Sequence, residues 1–224
     1  MGHEDDVTQL SDLLALVVHD LRSPVASISA NLSFVREVAG TANQEVGEAL
    51  DDVDVAVTSL TRGLEHLGWV GRWLSREPAP AGAPGDARAS IEEALRRVGG
   101  EGASAELPAA AVRVRAAGEP LTQLLEVLVG NSRQHAKGAV VVRLTPDAVI
   151  EVQDTGRAVS ADLRAHAFTM AGQHRIKGRR DGRYGWMIGL LAARALADAI
   201  GAELEADGVD GAAVFRIRLP AEST

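Results

Sequence analysis

Residues 46–74 read VGEALDDVDVAVTSLTRGLEHLGWVGRWL, and their apolar positions alternate between steps of four and three residues. These positions are Val46, Leu50, Val53, Val57, Leu60, Leu64, Leu67, Gly71 and Leu74. Such spacing is a heptad repeat, which aligns apolar side chains along one side of an α-helix and packs them against a neighbouring helix. The stretch therefore predicts a long helix that belongs to a helical bundle.

A second amphipathic helix is predicted upstream of this one. Its apolar residues recur three or four positions apart, at Leu10, Leu14, Val17, Leu21, Val25, Ile28, Leu32 and Val35. A short polar break at residues 40–44 separates the two patterns, so residues 1–76 are predicted to form an antiparallel helical hairpin. One hairpin cannot cover its own apolar face. We therefore expect two copies to associate as a homodimer with a four-helix bundle.

The first helix carries the hexapeptide His19-Asp20-Leu21-Arg22-Ser23-Pro24. His19 lies two residues after Val17, which is about 200° around a helix, so it is predicted to face away from the apolar stripe. Pro24 has no N–H for the carbonyl of Asp20 and is expected to kink the helix one turn after the histidine. A proline inside a helix lowers the stability of the fold, and positions that lower stability are more often functional than decorative. The combination of an exposed histidine, an acid and this proline favours a histidine that carries phosphate.

Composition limits the classes of protein and of site. The 224 residues are 46% hydrophobic and only 3% aromatic, which indicates a globular protein with aliphatic cores. No apolar run approaches the roughly 18 to 20 residues that cross a bilayer, and no leader pattern opens the chain, so a cytoplasmic location without a membrane segment is expected. The net charge of −8 argues against a nucleic-acid surface. Without cysteines, and with no paired histidine spacing, no zinc site is predicted; His66, His135 and His166 are interpreted as structural or solvated.

A Pro-, Ala- and Gly-rich linker at residues 77–86 separates the hairpin from a second domain, residues 87–224. Helices are predicted there at 87–98, 120–136, 161–168 and 186–200, and strands at 111–116, 139–144, 148–152, 202–206 and 213–219. A turn at residues 207–211 is predicted to join the last two strands. Together these elements predict an α+β sandwich, one mixed sheet under a layer of helices.

The motifs of both parts resemble those of two-component sensor histidine kinases, over nearly the whole chain. Residues 19–24 resemble the phosphoacceptor box of that family, residues 131–136 its asparagine box, residues 154–156 its first glycine box, Phe168 its phenylalanine box, and Gly185 with Gly189 its second glycine box. Each motif falls on the expected helix, strand or loop, and the order is that of the family. The resemblance implies a phosphoacceptor hairpin followed by a histidine kinase-like ATPase domain.

The resemblance also implies roles for particular residues. His19 is the implied phosphoacceptor, Asp20 the acid that holds the imidazole tautomer, and Ser23 a residue that helps to place water in the reverse, phosphatase reaction. Nucleotide binding falls to Asn131, Asp154, Gly156, Gly185 and Gly189, with Asn131 also a ligand of Mg²⁺. The implied cofactors are ATP and Mg²⁺, and the implied partners are a second copy of the chain and a response-regulator receiver domain.

The nucleotide boxes depart from the family pattern at four positions. Val127 replaces an asparagine or acid, Gln134 a basic residue, and Ala158 and Met187 replace glycines. Two functions therefore stay open. The first is an ATP-dependent kinase that phosphorylates His19 and passes the group to a regulator aspartate. The second is a dimeric phosphotransfer protein or pseudokinase whose second domain does not hydrolyse ATP.

Overall fold

The chain folds into two compact units, Met1–Glu77 and Pro78–Thr224. The structure is a computed structural model that describes residues 2–39, 44–74, 83–99, 101–135, 138–156, 164, 166–169, 188–209 and 212–220. In this part of the chain no helix is both long enough and apolar enough to cross a membrane. The division between the units falls close to residue 76, where the hairpin was predicted to end.

The first unit is an antiparallel hairpin of two long helices, α1 (Gly2–Ala39) and α2 (Gln44–Leu74), as predicted. Near the end of α1, Arg36 forms an ion pair with Asp51 of α2 at 3.0 Å and a second one with Asp54. The helix α1 continues through Pro24, and the kink there stays a prediction. Proline tolerates a helix interior poorly because it removes one backbone hydrogen bond.

The apolar residues of the hairpin divide into two sets rather than forming one buried stripe. Val18, Val25 and Leu64 are buried together, with Val57 and Leu67 packed against them. A second set of large apolar side chains stays exposed at intervals of seven residues: Leu21, Ile28 and Val35 on α1, and Val46, Val53 and Leu60 on α2. Within the predicted stripe of α1, Val25 is buried and Val17 is 39% exposed, whereas Val18, which was not assigned to the stripe, is 5% exposed.

The second unit contains three helices and seven strands among its described residues. In chain order they are β1 (Ala83–Asp86), α3 (Ala87–Arg97), β2 (Ala103–Glu106), β3 (Arg113–Ala117), α4 (Glu119–His135), β4 (Val140–Leu144), β5 (Val149–Asp154), α5 (Ile188–Ala199), β6 (Glu203–Val209) and β7 (Ala212–Arg218). Of the predicted helix at 161–168, residues 161–163 and 165 lie outside the described residues, residue 164 is helical and residues 166–168 form a turn.

Five strands form a mixed sheet in the order β2-β4-β5-β7-β6, with β2 parallel to β4 and the other pairs antiparallel. Ile150, Val152 and Asp154 alternate along β5 on the buried face. The helix α4 packs against β3, β4, β5 and α5, so the helices lie on this face. The opposite face carries ion pairs, such as Arg216 with Glu151 at 2.9 Å. The α+β sandwich is therefore confirmed.

Two short strands, β1 and β2, were not predicted. β1 occupies the last residues of the predicted linker and pairs with β3 in a separate two-stranded sheet. It leads directly into α3, where the Asp86 side chain caps the helix by accepting from the Arg88 N–H at 3.1 Å. The same carboxylate also accepts from the N–H of Val112, just before β3, at 3.2 Å. Residues 207–209 of the turn predicted at 207–211 belong instead to β6, which extends to Val209, and residues 210 and 211 lie outside the described residues.

Candidate functional site

His19 lies exposed on α1, directly after the buried Val18. Ser23 is one turn further along the helix, is also exposed, and accepts a hydrogen bond at its backbone carbonyl from Ser27 Oγ at 3.1 Å. Residues four apart share a helix face, so His19 and Ser23 lie on the same side of α1. The side chain of Asp20 is outside the described residues. The hairpin therefore presents an imidazole and a hydroxyl to solvent.

Asp154 is the last residue of β5 and is 3% exposed, although its side chain is a carboxylate. Its position follows from the strand period, because residues two apart point to the same face and Ile150 and Val152 face the helices. One carboxylate oxygen, Oδ1, accepts from the Gly156 N–H at 2.7 Å. No cation among the described residues pairs with Asp154, so the group is suited to accept hydrogen bonds from a bound ligand.

The C-terminal end of α4 lies beside the turn that contains Asp154. The first residue of β4, Val140, is directly opposite Asp154 in the sheet. Gly138 lies between α4 and β4, and a Cβ atom added there would be only 2.7 Å from Thr155 Oγ1. Asn131, partly buried near the end of α4, is thus brought to the same end of the sheet as residues 154–156. Two of the predicted nucleotide motifs therefore converge.

The position where an acid or a second asparagine was expected offers no metal ligand. Val127 is buried in the core. The neighbouring Glu126 accepts from Arg97 Nη1 at 3.1 Å, and Arg97 also holds Glu119 through both guanidinium Nη atoms at 2.8 and 2.9 Å. The hydrogen bonds of Arg97 to Glu119, and then to Glu93, raise the pKa of Arg97 above its usual value, with a smaller contribution from the charge of Glu126. Within the described parts of the chain, no group of three or more His, Asp or Glu side chains forms a metal site.

The remaining predicted nucleotide residues are only partly described. Gly189 is buried in the first turn of α5, which packs against α4. Gly185, Ala158 and Met187 lie outside the described residues, as does the side chain of Gln134. Phe168 is 9% exposed, and its ring packs edge-on against Phe215 of β7 with centroids 6.0 Å apart. The structure therefore gives this phenylalanine a packing partner in the core.

The histidine with the most strongly altered environment among the described residues is His66 of α2. It is buried, and its ring centroid is 5.3 Å from that of Trp69. Burial, and then the positive charge of Arg62, lower the pKa of His66 to about 4. His66 is consequently neutral at pH 7, which agrees with a structural interpretation.

Two residues in or just after the last turn of α4 were not assigned a role of their own from the sequence. Ser132 follows Asn131 and has a buried hydroxyl with no hydrogen-bond partner among the described residues. Gly138 makes the close approach to Thr155 described above. A glycine just after a helix is a sequence indication of a helix end, but its contact with a residue 17 positions later is not visible in the sequence.

Comparison with known proteins gives one family and a set of related structures. Residues 116–223 match the family described as histidine kinase-, DNA gyrase B-, and HSP90-like ATPase. No curated protein sequence matches the chain.

Three solved structures resemble the fold. Full-length ShkA in complex with AMPPNP gives a TM-score of 0.68 at 17% identity; the match covers 95% of this chain but 47% of that one, so this chain spans about half the length of ShkA. The Acinetobacter baumannii histidine kinase AdeS gives 0.56 at 14% identity, covering 92% and 98%. The mycobacterial sensor histidine kinase MprB gives 0.50 at 19% identity, covering 64% and 99%.

Proposed function

We propose that the chain is an ATP-dependent protein-histidine kinase, because residues 116–223 match the family described as histidine kinase-, DNA gyrase B-, and HSP90-like ATPase, and because the fold resembles that of a solved histidine kinase over most of the chain. It phosphorylates His19 and passes the phosphoryl group to an aspartate of a response-regulator receiver domain. The observation that carries nucleotide binding is the buried carboxylate of Asp154, which no described cation neutralises. A carboxylate accepts hydrogen bonds and matches the amino group of adenine.

The chemistry at His19 is a phosphoryl transfer. A ring nitrogen of His19 attacks the γ-phosphorus of ATP, an N–P bond forms, and the bond from phosphorus to the bridging oxygen breaks, so ADP leaves. Asp20 accepts the imidazole proton and holds the reactive tautomer. Ser23 helps to position water when the phosphorylated histidine is hydrolysed.

Around the nucleotide, Asp154 accepts from the adenine amino group, Gly156 permits close approach of backbone to the base, and Gly185 and Gly189 allow the segment at the start of α5 to approach the phosphates. Asn131 donates one oxygen ligand to Mg²⁺, which neutralises phosphate charge when bound. Buried Val127 adds no second ligand, and Glu126 is paired with Arg97. Since Mg²⁺ keeps several waters and phosphate oxygens as ligands, one side chain suffices for a weak site.

We also propose that the chain is a homodimer. The large apolar side chains left exposed at intervals of seven residues on both helices give each hairpin an uncovered face. Two such faces bury each other in a four-helix bundle. In domain terms, residues 1–76 form the dimerisation and phosphoacceptor hairpin, residues 77–86 the linker, and residues 87–224 the ATP-binding domain.

The second candidate is a phosphotransfer protein or pseudokinase. Two observations favour this candidate. Glu126 is neutralised by its ion pair with Arg97, and the neighbouring position is a buried valine, Val127, in place of an acid or asparagine, so neither residue offers Mg²⁺ a free carboxylate. Such a protein accepts phosphate at His19 from a phosphorylated regulator but not from ATP.

Incubation with γ-labelled ATP and Mg²⁺ tests the kinase. We expect acid-labile label on the wild-type protein and on the control His166→Gln, and none on His19→Gln. Label that persists on His19→Gln contradicts the assignment of the phosphoacceptor. Absence of label from ATP, together with labelling of His19 by a phosphorylated receiver domain, favours the phosphotransfer protein.

A further inference from the structure

Ser132 is fully buried on α4, at 0% exposure, and its Oγ has no hydrogen-bond partner among the described residues. Leaving a buried hydroxyl unpaired destabilises a folded protein, since the group has lost its water without gaining a replacement. An alanine would fill the same place at no such cost. The hydroxyl is therefore either a defect or a group whose partner is a bound molecule.

Four other helical hydroxyls among the described residues have a partner in their own helix. The side chains of Ser27, Ser33, Thr61 and Thr122 each donate to the backbone carbonyl four residues earlier, at 3.1, 3.0, 2.9 and 3.0 Å. This is the usual way in which a hydroxyl inside a helix finds a partner. Thr122 does so on α4 itself. Ser132 makes no such bond, so its hydroxyl is not satisfied by its own helix.

The position of Ser132 relates it to the candidate nucleotide site. It continues the fully buried row Leu121, Leu125 and Leu128 of the helix that packs on the sheet. It directly follows Asn131 and lies three residues before the end of α4. The chain then enters β4, whose first residue is opposite Asp154. The two buried polar side chains Ser132 and Asp154 thus belong to the same end of the interface between α4 and the sheet.

The two groups have complementary hydrogen-bonding chemistry. A carboxylate accepts, whereas a hydroxyl also donates. The amino group of adenine is a donor flanked by two acceptors, the ring nitrogens N1 and N7. We propose that Ser132 is a base-recognition residue. With ATP bound, the amino group of adenine donates a hydrogen bond to Asp154, and the Ser132 hydroxyl donates, directly or through one enclosed water, to a ring nitrogen beside that amino group. This inference rests on the proposed binding of ATP.

Calorimetry with ATP, 1-deaza-ATP and 7-deaza-ATP tests the proposal, because each analogue replaces one ring nitrogen by C–H. The wild-type protein is expected to bind one analogue roughly 3- to 10-fold more weakly than ATP, the size of one hydrogen bond. Ser132→Ala should lose the same factor for ATP and bind that analogue no more weakly than ATP. Its thermal midpoint should be at or above that of the wild type, since an unpaired hydroxyl has been removed.

The control is Thr122→Val, which removes a hydroxyl that already donates to the Gly118 carbonyl. This variant should bind all three nucleotides with the affinities of the wild type. An equal loss of affinity for all three nucleotides in Ser132→Ala would indicate a merely structural effect and would overturn the proposal. Affinities of Ser132→Ala identical to those of the wild type would overturn it too. Failure of the proposed function is a different result, in which the wild-type protein itself gives no heat with any of the three nucleotides and both proposals fall.

Discussion

Asp154 occupies a position at which the alternation of β5 would otherwise place an apolar side chain. The strand was predicted to end at Val152, and it continues for two more residues. Counting by two from Ile150 and Val152 puts Asp154 on the helix-facing side of the sheet. The residue could therefore be singled out from the sequence, and its burial follows from the length of the strand.

Exchange of this carboxylate for an amide should weaken ATP binding. In Asp154→Asn the side-chain oxygen that accepts from Gly156 can be retained, so the turn is preserved. The other carboxylate oxygen becomes an NH₂ group, which cannot accept from the adenine amino group. We expect an affinity loss of about 10- to 100-fold, the size of a hydrogen bond to a charged group, measured by calorimetry.

Asp147→Asn is the matched control, because Asp147 is an exposed acid in the turn before β5. It should bind ATP like the wild type. Equal affinities for ATP in Asp154→Asn and Asp147→Asn would exclude Asp154 as the adenine acceptor.

Other properties of single residues depend on contacts that no sequence pattern encodes. The close approach of Gly138 to Thr155 requires the end of α4 and the end of β5 to meet in space. The unpaired hydroxyl of Ser132 depends on which rotamer the neighbouring core allows. By contrast, the exposure of His19 was predicted from helical periodicity, and the structure shows His19 exposed although it directly follows the buried Val18.

Among the elements, the two long helices were the easiest to predict, because a heptad repeat sustained over four repeats has few alternatives. What the repeat does not specify is which positions face the other helix of the hairpin and which face a second copy. In α2, Leu64 packs within the hairpin while Leu60 stays 44% exposed, although both belong to one apolar pattern. Only the packing of α1 against α2 distinguishes them.

The short strands were missed for a physical reason. β1 consists of Ala83-Pro84-Gly85-Asp86, residue types that disfavour strands, and it forms because β3 supplies the pairing partner. Likewise β2 is only four residues long and is held by parallel pairing with β4. In both cases a long-range contact determines the local structure.

Burial of His66 in the hairpin should make stability depend on pH. Its pKa is about 4 in the folded protein and about 6.5 when unfolded, so between these values only the unfolded chain is protonated. The contribution of the neutral, buried His66 to the free energy of unfolding is therefore fully present above pH 6.5 and is lost as the pH falls towards 4. At pH 4.5 we expect a loss of about 2 to 3 kcal/mol in the free energy of unfolding relative to pH 7.5.

Urea unfolding at the two pH values measures this loss, and His66→Leu is the reference. Because the variant has no group to protonate at this position, it should lose less stability than the wild type over the same interval. Identical losses in the two proteins would show that His66 does not titrate with folding. An NMR titration of the His66 ring provides the pKa directly.

At the scale of the whole molecule, the sequence predicted two domains because its patterning changes from heptads to mixed strands and helices across a Pro-rich segment. Each unit has its own buried apolar cluster, and both are built from aliphatic side chains as the 3% aromatic content required. Unlike the division into two domains, the oligomeric state depends on what covers the apolar face left exposed on the hairpin.

Charges placed at two positions of α2 should separate folding from dimerisation. Leu60→Asp puts a carboxylate on the exposed face, so we expect the hairpin to keep its helical circular dichroism while the dimer weakens by at least about tenfold in sedimentation velocity. Leu64→Asp buries the same charge at a side chain that is 3% exposed, and should reduce the helical signal itself.

The control is Val55→Asp, because Val55 is also an exposed apolar residue but lies about 200° around α2 from Val53, away from the exposed row. It should leave both the helical signal and the dimer unchanged. A wild-type protein that sediments as a monomer at micromolar concentration contradicts the homodimer. If Val55→Asp weakens the dimer as strongly as Leu60→Asp does, the protein is still a dimer, but its interface is not the row of Val46, Val53 and Leu60. The reason is that only a side chain inside the interface has to lose its water when two copies associate.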